Sequence, residues 1–241
     1  MRIECVEVQN FRKLRSMHID FDREQTLFVG ANNSGKTSAM LALRYFLIER
    51  TAFSYRDVSV GNWHAINQLG ETWERLCDDE DVKADDLLTL LPAIDVWLQV
   101  GDSEIHHVAH LLPTLDWTGG SLGVRMRLEP KDTRRLFTEY RLAREKARTT
   151  VAQAGEKNGG AGLSVWPENL LQFLDKRMRA LVTVNSYVLD PEKRELPQNG
   201  VARPQQLPIR RVPLDRDPWQ GLIRIDEIAA QRNLSDASPS Y

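Results

Sequence analysis

Cysteine is nearly absent from this chain: Cys5 and Cys77 are the only two in 241 residues, too few for a disulfide framework and without the spacing that ligates zinc. A reducing compartment, the cytoplasm, is the expected setting. There is no excess of charge of either sign. Lys plus Arg number 32 against 34 for Asp plus Glu, a formal net charge of -2, so the molecule as a whole sets up no field that gathers nucleic acid, and any DNA contact must be a local patch. No run is apolar enough to span a bilayer. The opening Met1-Arg2-Ile3-Glu4 puts an acid where a signal peptide carries its apolar stretch, so export is not expected. No segment repeats. What remains is a chain with 41% hydrophobic residues, enough to bury a substantial core in one large domain or two small ones.

The most informative stretch is Gly30-Ala31-Asn32-Asn33-Ser34-Gly35-Lys36-Thr37, which matches G-x-x-x-x-G-K-[ST] at every fixed position. A triphosphate packs several negative charges into a small volume, and its site needs converging backbone N–H donors, a cation and a helix N-terminus. Gly30 and Gly35 let the backbone curl without a Cβ in the way, Lys36 brings a mobile ammonium to the β/γ oxygens, and Thr37 offers a hydroxyl to Mg²⁺. The flanks agree with this: Thr26-Leu27-Phe28-Val29 reads as a short strand ending at the first glycine, and Thr37 to Arg50 reads as a helix. Ala39, Leu43 and Phe46 recur there at helical spacing beside Met40 and Leu47, so most of the helix circumference is expected to be buried.

Along the rest of the chain, Ile3 to Val8 and Met17 to Phe21 alternate like two paired strands around a basic turn. Gly70 to Asp86 carries Glu71, Glu74, Asp78, Asp79, Glu80, Asp81, Asp85 and Asp86, and reads as a solvated acidic insert; a hard-cation loop would need glycine-assisted spacing that it lacks. Ala93 to Val100 and Val124 to Leu128 are further strand candidates. His106, His107 and His110 have spacings that suit zinc but no Cys or acidic partner, and read as ordinary polar residues. Asp132 caps a helix through about Thr149, with Leu136, Tyr140, Ala143 and Ala147 on one face and Arg134, Arg141, Arg144 and Arg148 opposite. That basic face is a solvated surface or, alternatively, a nucleic-acid contact. Gly155 to Gly162 reads as a flexible break, and Pro167 suits the first turn of a helix carrying Leu170, Phe173, Leu174 and Met178. Leu181 to Leu189 is a valine-rich strand, and the prolines from 191 to 218 mark a long extended loop. Leu222-Ile223-Arg224-Ile225-Asp226-Glu227 reads as a final strand before a polar tail.

The succession Ile3-Glu4, Val8-Gln9-Asn10-Phe11-Arg12, a strand ending in Asp20-Phe21 and then the Gly30–Thr37 loop resembles the start of ABC-type ATPase heads of the RecF/SMC group. Within that group it is most similar to the overcoming-lysogenization-defect (OLD) family of ATP-dependent nucleases and the related AAA-type ATPases of bacterial defence systems. The resemblance covers the first fifty residues and thins afterwards. It implies an α/β P-loop NTPase, the N-terminal lobe of an ABC-type head, with a mixed sheet plus antiparallel strands, while the helical lobe is not reached. The expected division is a single lobe over 1–241: strands, P-loop and first helix in 1–50, an inserted α+β region in 51–190, a proline-rich loop in 191–220, and a last strand and tail in 221–241.

The resemblance further implies ATP and Mg²⁺ as cofactors, Ser38 as a neighbour of the phosphates, and Arg12 or Lys13 touching phosphate; the alternative for these two is a basic surface turn. Two readings of the last run stay open. In one, Asp226 is a Walker B metal ligand and Glu227 polarises the attacking water. In the other, Gln231 is similar to the Q-loop glutamine of ABC-type heads. The second is preferred, because an ABC-type Walker B follows a Leu-Ser-Gly-Gly signature, and the chain has neither that signature nor a TOPRIM-type acidic centre. The expected protein is a truncated, split or N-terminal piece of a dimerising ATPase head, completed by a part carrying signature and Walker B, and acting on DNA in repair or phage defence. The rivals are a self-sufficient small NTPase and a non-catalytic interaction module whose nucleotide stabilises a dimer.

Overall fold

The structure, a computed structural model, describes residues 1–76, 84–114, 116–158, 165–207, 212–223 and 226. Five strands form one sheet: β1 (Arg2–Phe11), β2 (Leu14–Asp20), β3 (Ala93–Val100), β4 (Gly120–Pro130) and β5 (Val182–Leu189), in the order β2-β1-β3-β4-β5. Every pairing is antiparallel. The expected mixed sheet is therefore corrected: no parallel pair occurs among the described residues. The strands that could be read by alternation all belong to hairpins or to neighbours that return along the same sheet.

The period-two alternation sorts the side chains onto two faces of opposite character. Val6 and Val8, then Ile94, Val96 and Leu98, then Leu122, Val124 and Met126 form the apolar face, all fully buried. Helices cover it: α1 (Lys36–Leu47), α2 (Val60–Arg75) and α5 (Leu170–Leu181), with α4 (Thr133–Asn158) packed on α2 and α5, and the short α3 (Ala84–Leu88) beside α2. Phe11, Tyr45, Phe46 and Phe53 meet edge to face under α1, with centroids 4.8 to 6.2 Å apart.

The opposite face is polar. Asp95 and Arg125 sit directly across from each other and bond twice, Nε to Oδ1 and Nη2 to Oδ2, both at 2.6 Å. Arg127 reaches Glu129, which also accepts from Tyr187 (2.5 Å) and Asn185. His18 lies between Glu7 (3.0 Å) and Asp20 (2.9 Å). Burial pushes the Glu7 carboxyl up, partly opposed by its hydrogen bond to His18. Burial lowers the affinity of Arg125 for its proton, but the bonds and charge of Asp95 outweigh this and leave it above its ordinary value.

Such a face cannot be left to an apolar cover, and the proline-rich segment supplies a polar one. Gln205 O accepts from Arg125 Nη1 at 2.8 Å and Ala202 O accepts from Ser16 at 2.8 Å. Arg194 stacks over Trp97 at 4.6 Å and bonds Glu4, Ser121 and the Cys5 sulfur. Burial pushes the Cys5 thiol up to about 12, against the lowering effect of Arg194. The segment after β5 is thus an extended strap over much of its described length, as its prolines indicate, interrupted by turns at Pro191–Lys193, between Gln198 and Val201, and at Trp219–Leu222; residues 208–211 lie outside the described residues.

Several helix limits differ from expectation. α1 ends at Leu47, and Met40 is 52% exposed, because the helix meets the sheet on one side only, through Ala39, Ala42 and Phe46. α4 runs to Asn158, through the break expected at Gly155; one glycine costs about 1 kcal/mol, which the flanking helix formers offset. Residues 159–164 of that expected break lie outside the described residues. Pro167 precedes α5 instead of opening it, since Asn169 is the cap and its Oδ1 accepts from Gln172 N at 2.9 Å. Leu222 and Ile223, read as strand, lie in a turn whose N–H groups donate to Trp219 O at 2.9 and 3.2 Å. The histidines fall in a 3-10 stretch, Asp102–Leu111, where the rings of His106 and His107 meet at a tilt of 41° with centroids 3.9 Å apart and His110 meets Pro218 O at 3.2 Å. Among the described residues no helix is long and apolar enough to cross a membrane.

The acidic insert also needs correction at Glu74, whose side chain is 7% exposed. It lies on α2 facing α4, accepts from Tyr140 and from Arg144 Nε, both at 2.7 Å, and pairs with Arg148. Two arginines of the supposedly solvated basic face are therefore turned to a buried acid; Asp78, Asp79, Glu80 and Asp81 lie outside the described residues. Burial alone raises the Glu74 carboxyl, but the hydrogen bonds of Arg144 and Tyr140 outweigh it and hold it below its ordinary 4.5. A lowered carboxyl contributes stability that is present above the unfolded value and lost as pH falls through the folded one. Glu74→Gln is expected to lower the unfolding free energy by about 1–3 kcal/mol at neutral pH, with the deficit shrinking as urea titrations are repeated below about pH 4.5. An equal deficit at neutral and acid pH would mean that charge at Glu74 contributes nothing.

Candidate phosphate-binding site

The loop Gly30–Thr37 leads directly into α1, with Gly35 at the N-cap position. Two residues there have left-handed backbone, Asn33 at φ 70° and Gly35 at φ 98°, a region that glycine enters freely and asparagine more readily than most. A Cβ at Gly35 would come 3.1 Å from Leu14 Cδ2, and one at Gly30 would come 2.9 Å from Ser34 Oγ. The loop is therefore tight at both glycines. Gly35 offers no side chain to cap α1, so the first N–H groups of the helix face outward as donors, with the positive end of the helix behind them.

Lys36 curls back into this loop. Its Nζ donates to Gly30 O, to Ala31 O at 2.8 Å and to Ser34 Oγ at 3.3 Å, which occupies all three donors of an ammonium. Three neutral oxygens thus surround a cation, an arrangement that an oxyanion can displace with a gain in charge pairing. Ala31, Asn32, Asn33, Ser34 and Thr37 are exposed, and Gly35, Lys36 and Ser38 are half-buried, so the loop is open to a ligand from solvent.

The flank before the loop is not as expected. Thr26–Val29 belongs to none of the five strands, and Leu27 and Val29 are 72% and 88% exposed. The run has strand composition, but a strand exists only with a partner beside it, and the described sheet ends at β2 and β5.

The turn between β1 and β2 does reach the loop, through Lys13 and Leu14. Lys13 Nζ donates to Asn33 Oδ1, and Leu14 packs under Gly35. Arg12 is engaged elsewhere: its Nε donates to Asp57 Oδ1 at 2.8 Å and its N–H to Asp57 O at 2.8 Å. Asp57 was missed in the sequence, although Ser54-x-x-Asp57 is a capping-box pattern that signals it; both its backbone and its carboxylate are used, the latter also by Ser54 N at 2.9 Å. Asp226 is exposed, while Arg224, Ile225, Glu227 and Gln231 lie outside the described residues.

This geometry separates two neighbours in the turn. Arg12→Ala deprives a buried carboxylate of its cation and should lower unfolding free energy by about 1–3 kcal/mol while changing nucleotide affinity little. Lys13→Ala should do the reverse, weakening nucleotide binding severalfold with no measurable loss in urea unfolding. Loss of affinity in Arg12→Ala alone would show that Arg12 leaves Asp57 for phosphate.

Comparison with known proteins gives the loop its family. The chain is similar to the DNA replication and repair protein RecF of Clostridium kluyveri, 32% identical over 63 residues, which are 26% of this chain and 17% of that protein. The RecF of Lactococcus lactis subsp. lactis is 27% identical over 63 residues, 26% of this chain and 18% of that one. The chain thus matches less than a fifth of these relatives' own length. A solved structure described as concerning ATP-driven dimerization and DNA-stimulated activation of SMC ATPases is 16% identical, with a TM-score of 0.32, covering 58% of this chain and 77% of that one. The AAA ATPase domain matches residues 1–158, well over half of the chain and inclusive of the whole glycine loop, and the chain belongs to that family.

Proposed function

We propose that this chain is the ATP-binding lobe of an ABC-type AAA ATPase of the RecF/SMC kind, acting on DNA as part of a larger assembly. The observation that carries the reading is the Lys36 ammonium ringed by Gly30 O, Ala31 O and Ser34 Oγ at the uncapped start of α1. Family membership over residues 1–158 supports it. The similarity to RecF, named for DNA replication and repair, supports the choice of DNA. The finer assignment, to the OLD family and a role in phage defence, rests on the resemblance of the first fifty residues.

In this reading Lys36 leaves its carbonyl partners for the β/γ oxygens, the N–H groups of Gly35 to Ser38 donate to the phosphates, and Thr37 directs its hydroxyl to Mg²⁺. Mg²⁺, when bound, neutralises charge on the phosphates. Lys13 orders Asn33 and so holds the mouth of the loop. Turnover also needs an oriented water and charge stabilisation opposite the loop, supplied in such heads by a second copy or a C-terminal half with signature and Walker B. Gln231 would serve as the Q-loop glutamine, with Asp226 and Glu227 leading into it.

Calorimetry with Mg-ATP tests the loop: saturable binding is expected for the native chain, and Lys36→Ala should abolish it. Turnover by the 241-residue chain should equal that of Lys36→Ala, with Glu227→Gln changing nothing. Unchanged affinity in Lys36→Ala overturns the loop assignment. A Lys36-dependent turnover that falls about a hundredfold in Glu227→Gln would instead make this a self-sufficient NTPase.

A further inference from the structure

The polar face of the sheet is not filled everywhere. At the end nearest α3, a cavity of about 550 Å³ opens between β1, β2, β4 and the strap, within the size range of small-molecule sites. It lies on the opposite face of the sheet from α1, since Gln9 and Arg127 point away from the side that Val8, Met126 and Ala39 share.

Its polar wall mixes spent and unspent groups: Asn10 gives its amide N–H groups to Thr89 O and Leu91 O, and Ser16 donates to Ala202 O, whereas three other donors are not used up in this way. Gln9 Nε2 is buried with no hydrogen-bond partner among the described residues, a state that buried amides seldom keep. Arg127 gives Nε and Nη2 to Glu129 Oε2, at 3.1 and 2.6 Å, which leaves Nη1 outside that pair, on a side chain only 10% exposed. Arg15 stands exposed at the mouth with no ion pair among the described residues. Arg125, by contrast, has all three guanidinium nitrogens engaged by Asp95 and Gln205 O and serves as wall. Asp85, the acid on the rim, already has an interaction of its own. The other wall is apolar, formed by Leu88, Leu91, Pro204 and Leu207.

We propose that this cavity is a second ligand site, which takes a small organic anion. Its carboxylate or phosphate oxygens accept from Gln9 Nε2, Arg127 Nη1 and Arg15, and its apolar body lies against Leu88, Leu91 and Leu207. Water alone would satisfy Gln9 but would return no charge to Arg15, and it would waste the apolar wall. A planar or tetrahedral oxyanion with a short hydrophobic body meets both walls at once. The site does not depend on the nucleotide loop.

Two probes, benzoate and inorganic phosphate, are titrated calorimetrically into the native chain and into Gln9→Leu, Arg15→Ala and Lys36→Ala. At least one probe should bind saturably at one per chain in Lys36→Ala, where the glycine loop no longer offers its ammonium to phosphate, and Gln9→Leu and Arg15→Ala should each weaken that binding about tenfold or more. Benzoate as the binding probe identifies a carboxylate ligand; phosphate that survives Lys36→Ala identifies a phosphate ligand. Arg15 is exposed, so Arg15→Ala reports even where Gln9→Leu disturbs folding. The proposal is overturned if neither probe saturates, if Arg15→Ala leaves binding intact, or if Lys36→Ala removes it, which would assign the signal to the nucleotide loop. Failure of Mg-ATP to bind, with this probe binding retained, would count against the nucleotide reading alone.

Discussion

The pairing of Asp95 with Arg125 at the centre of the sheet is the interaction on which the rest of the arrangement turns. Taking two charges out of water costs several kcal/mol per ion, and the cost is offset only with good geometry and every remaining donor satisfied. Here the contact is bidentate at 2.6 Å, and the third nitrogen of Arg125 reaches the strap. Alternation makes this pair a control on register. A slip of one residue between β3 and β4 would carry Asp95 or Arg125 into the face filled by Val96 and Val124. Hydrophobic burial on one face supplies stability, and charge on the other selects which alignment of strands receives it.

That polar face explains why a proline-rich segment follows β5. Proline cannot join a sheet interior, but an extended chain exposes carbonyls at short intervals. Gln205 O, Ala202 O and Gly200 O receive Arg125, Ser16 and the His18 N–H. Arg194, laid over Trp97, closes the far end, where Cys5 and Leu189 form a small apolar patch of their own. A helix with an apolar stripe could not have replaced this cover without stranding the buried charges.

The β1–β2 hairpin connects the two faces to the glycine loop. Its apolar side enters the aromatic cluster under α1 through Phe11, its polar side carries Gln9 and Ser16 to the second cavity, and its turn places Lys13 and Leu14 on the loop. Asp57 braces the turn from the other side by holding Arg12, whose backbone is left-handed at φ 51°. The glycine loop, which has few contacts of its own, is thus carried on a hairpin fixed by the core. Pre-positioning of this kind is what lets backbone N–H groups act on phosphate without first paying to become ordered.

The residues by themselves determined what depends on near neighbours. The spacing Gly30 to Thr37 specified a curled loop with a cation at a helix start, and the alternation in Ile3–Val8 and Ala93–Val100 and the valines of Leu181–Leu189 specified strands, the last beginning one residue later, at Val182, because Leu181 closes α5; backbone curl and side-chain period are set within a few residues. Tertiary structure decided everything that needs a distant partner. Thr26–Val29 and Leu222–Ile223 have strand composition but no neighbouring strand to pair with among the described residues. Glu74 looked like one solvated acid among many until α4 brought Arg144 and Arg148 to it from about seventy residues away. Arg12 and Lys13 are adjacent in sequence with the same charge, and only the positions of Asp57 and Asn33 send one to a brace and the other to the loop. Local geometry is written in short spacings; the partner of a charge, and the direction of a strand's neighbour, follow from how the whole chain closes.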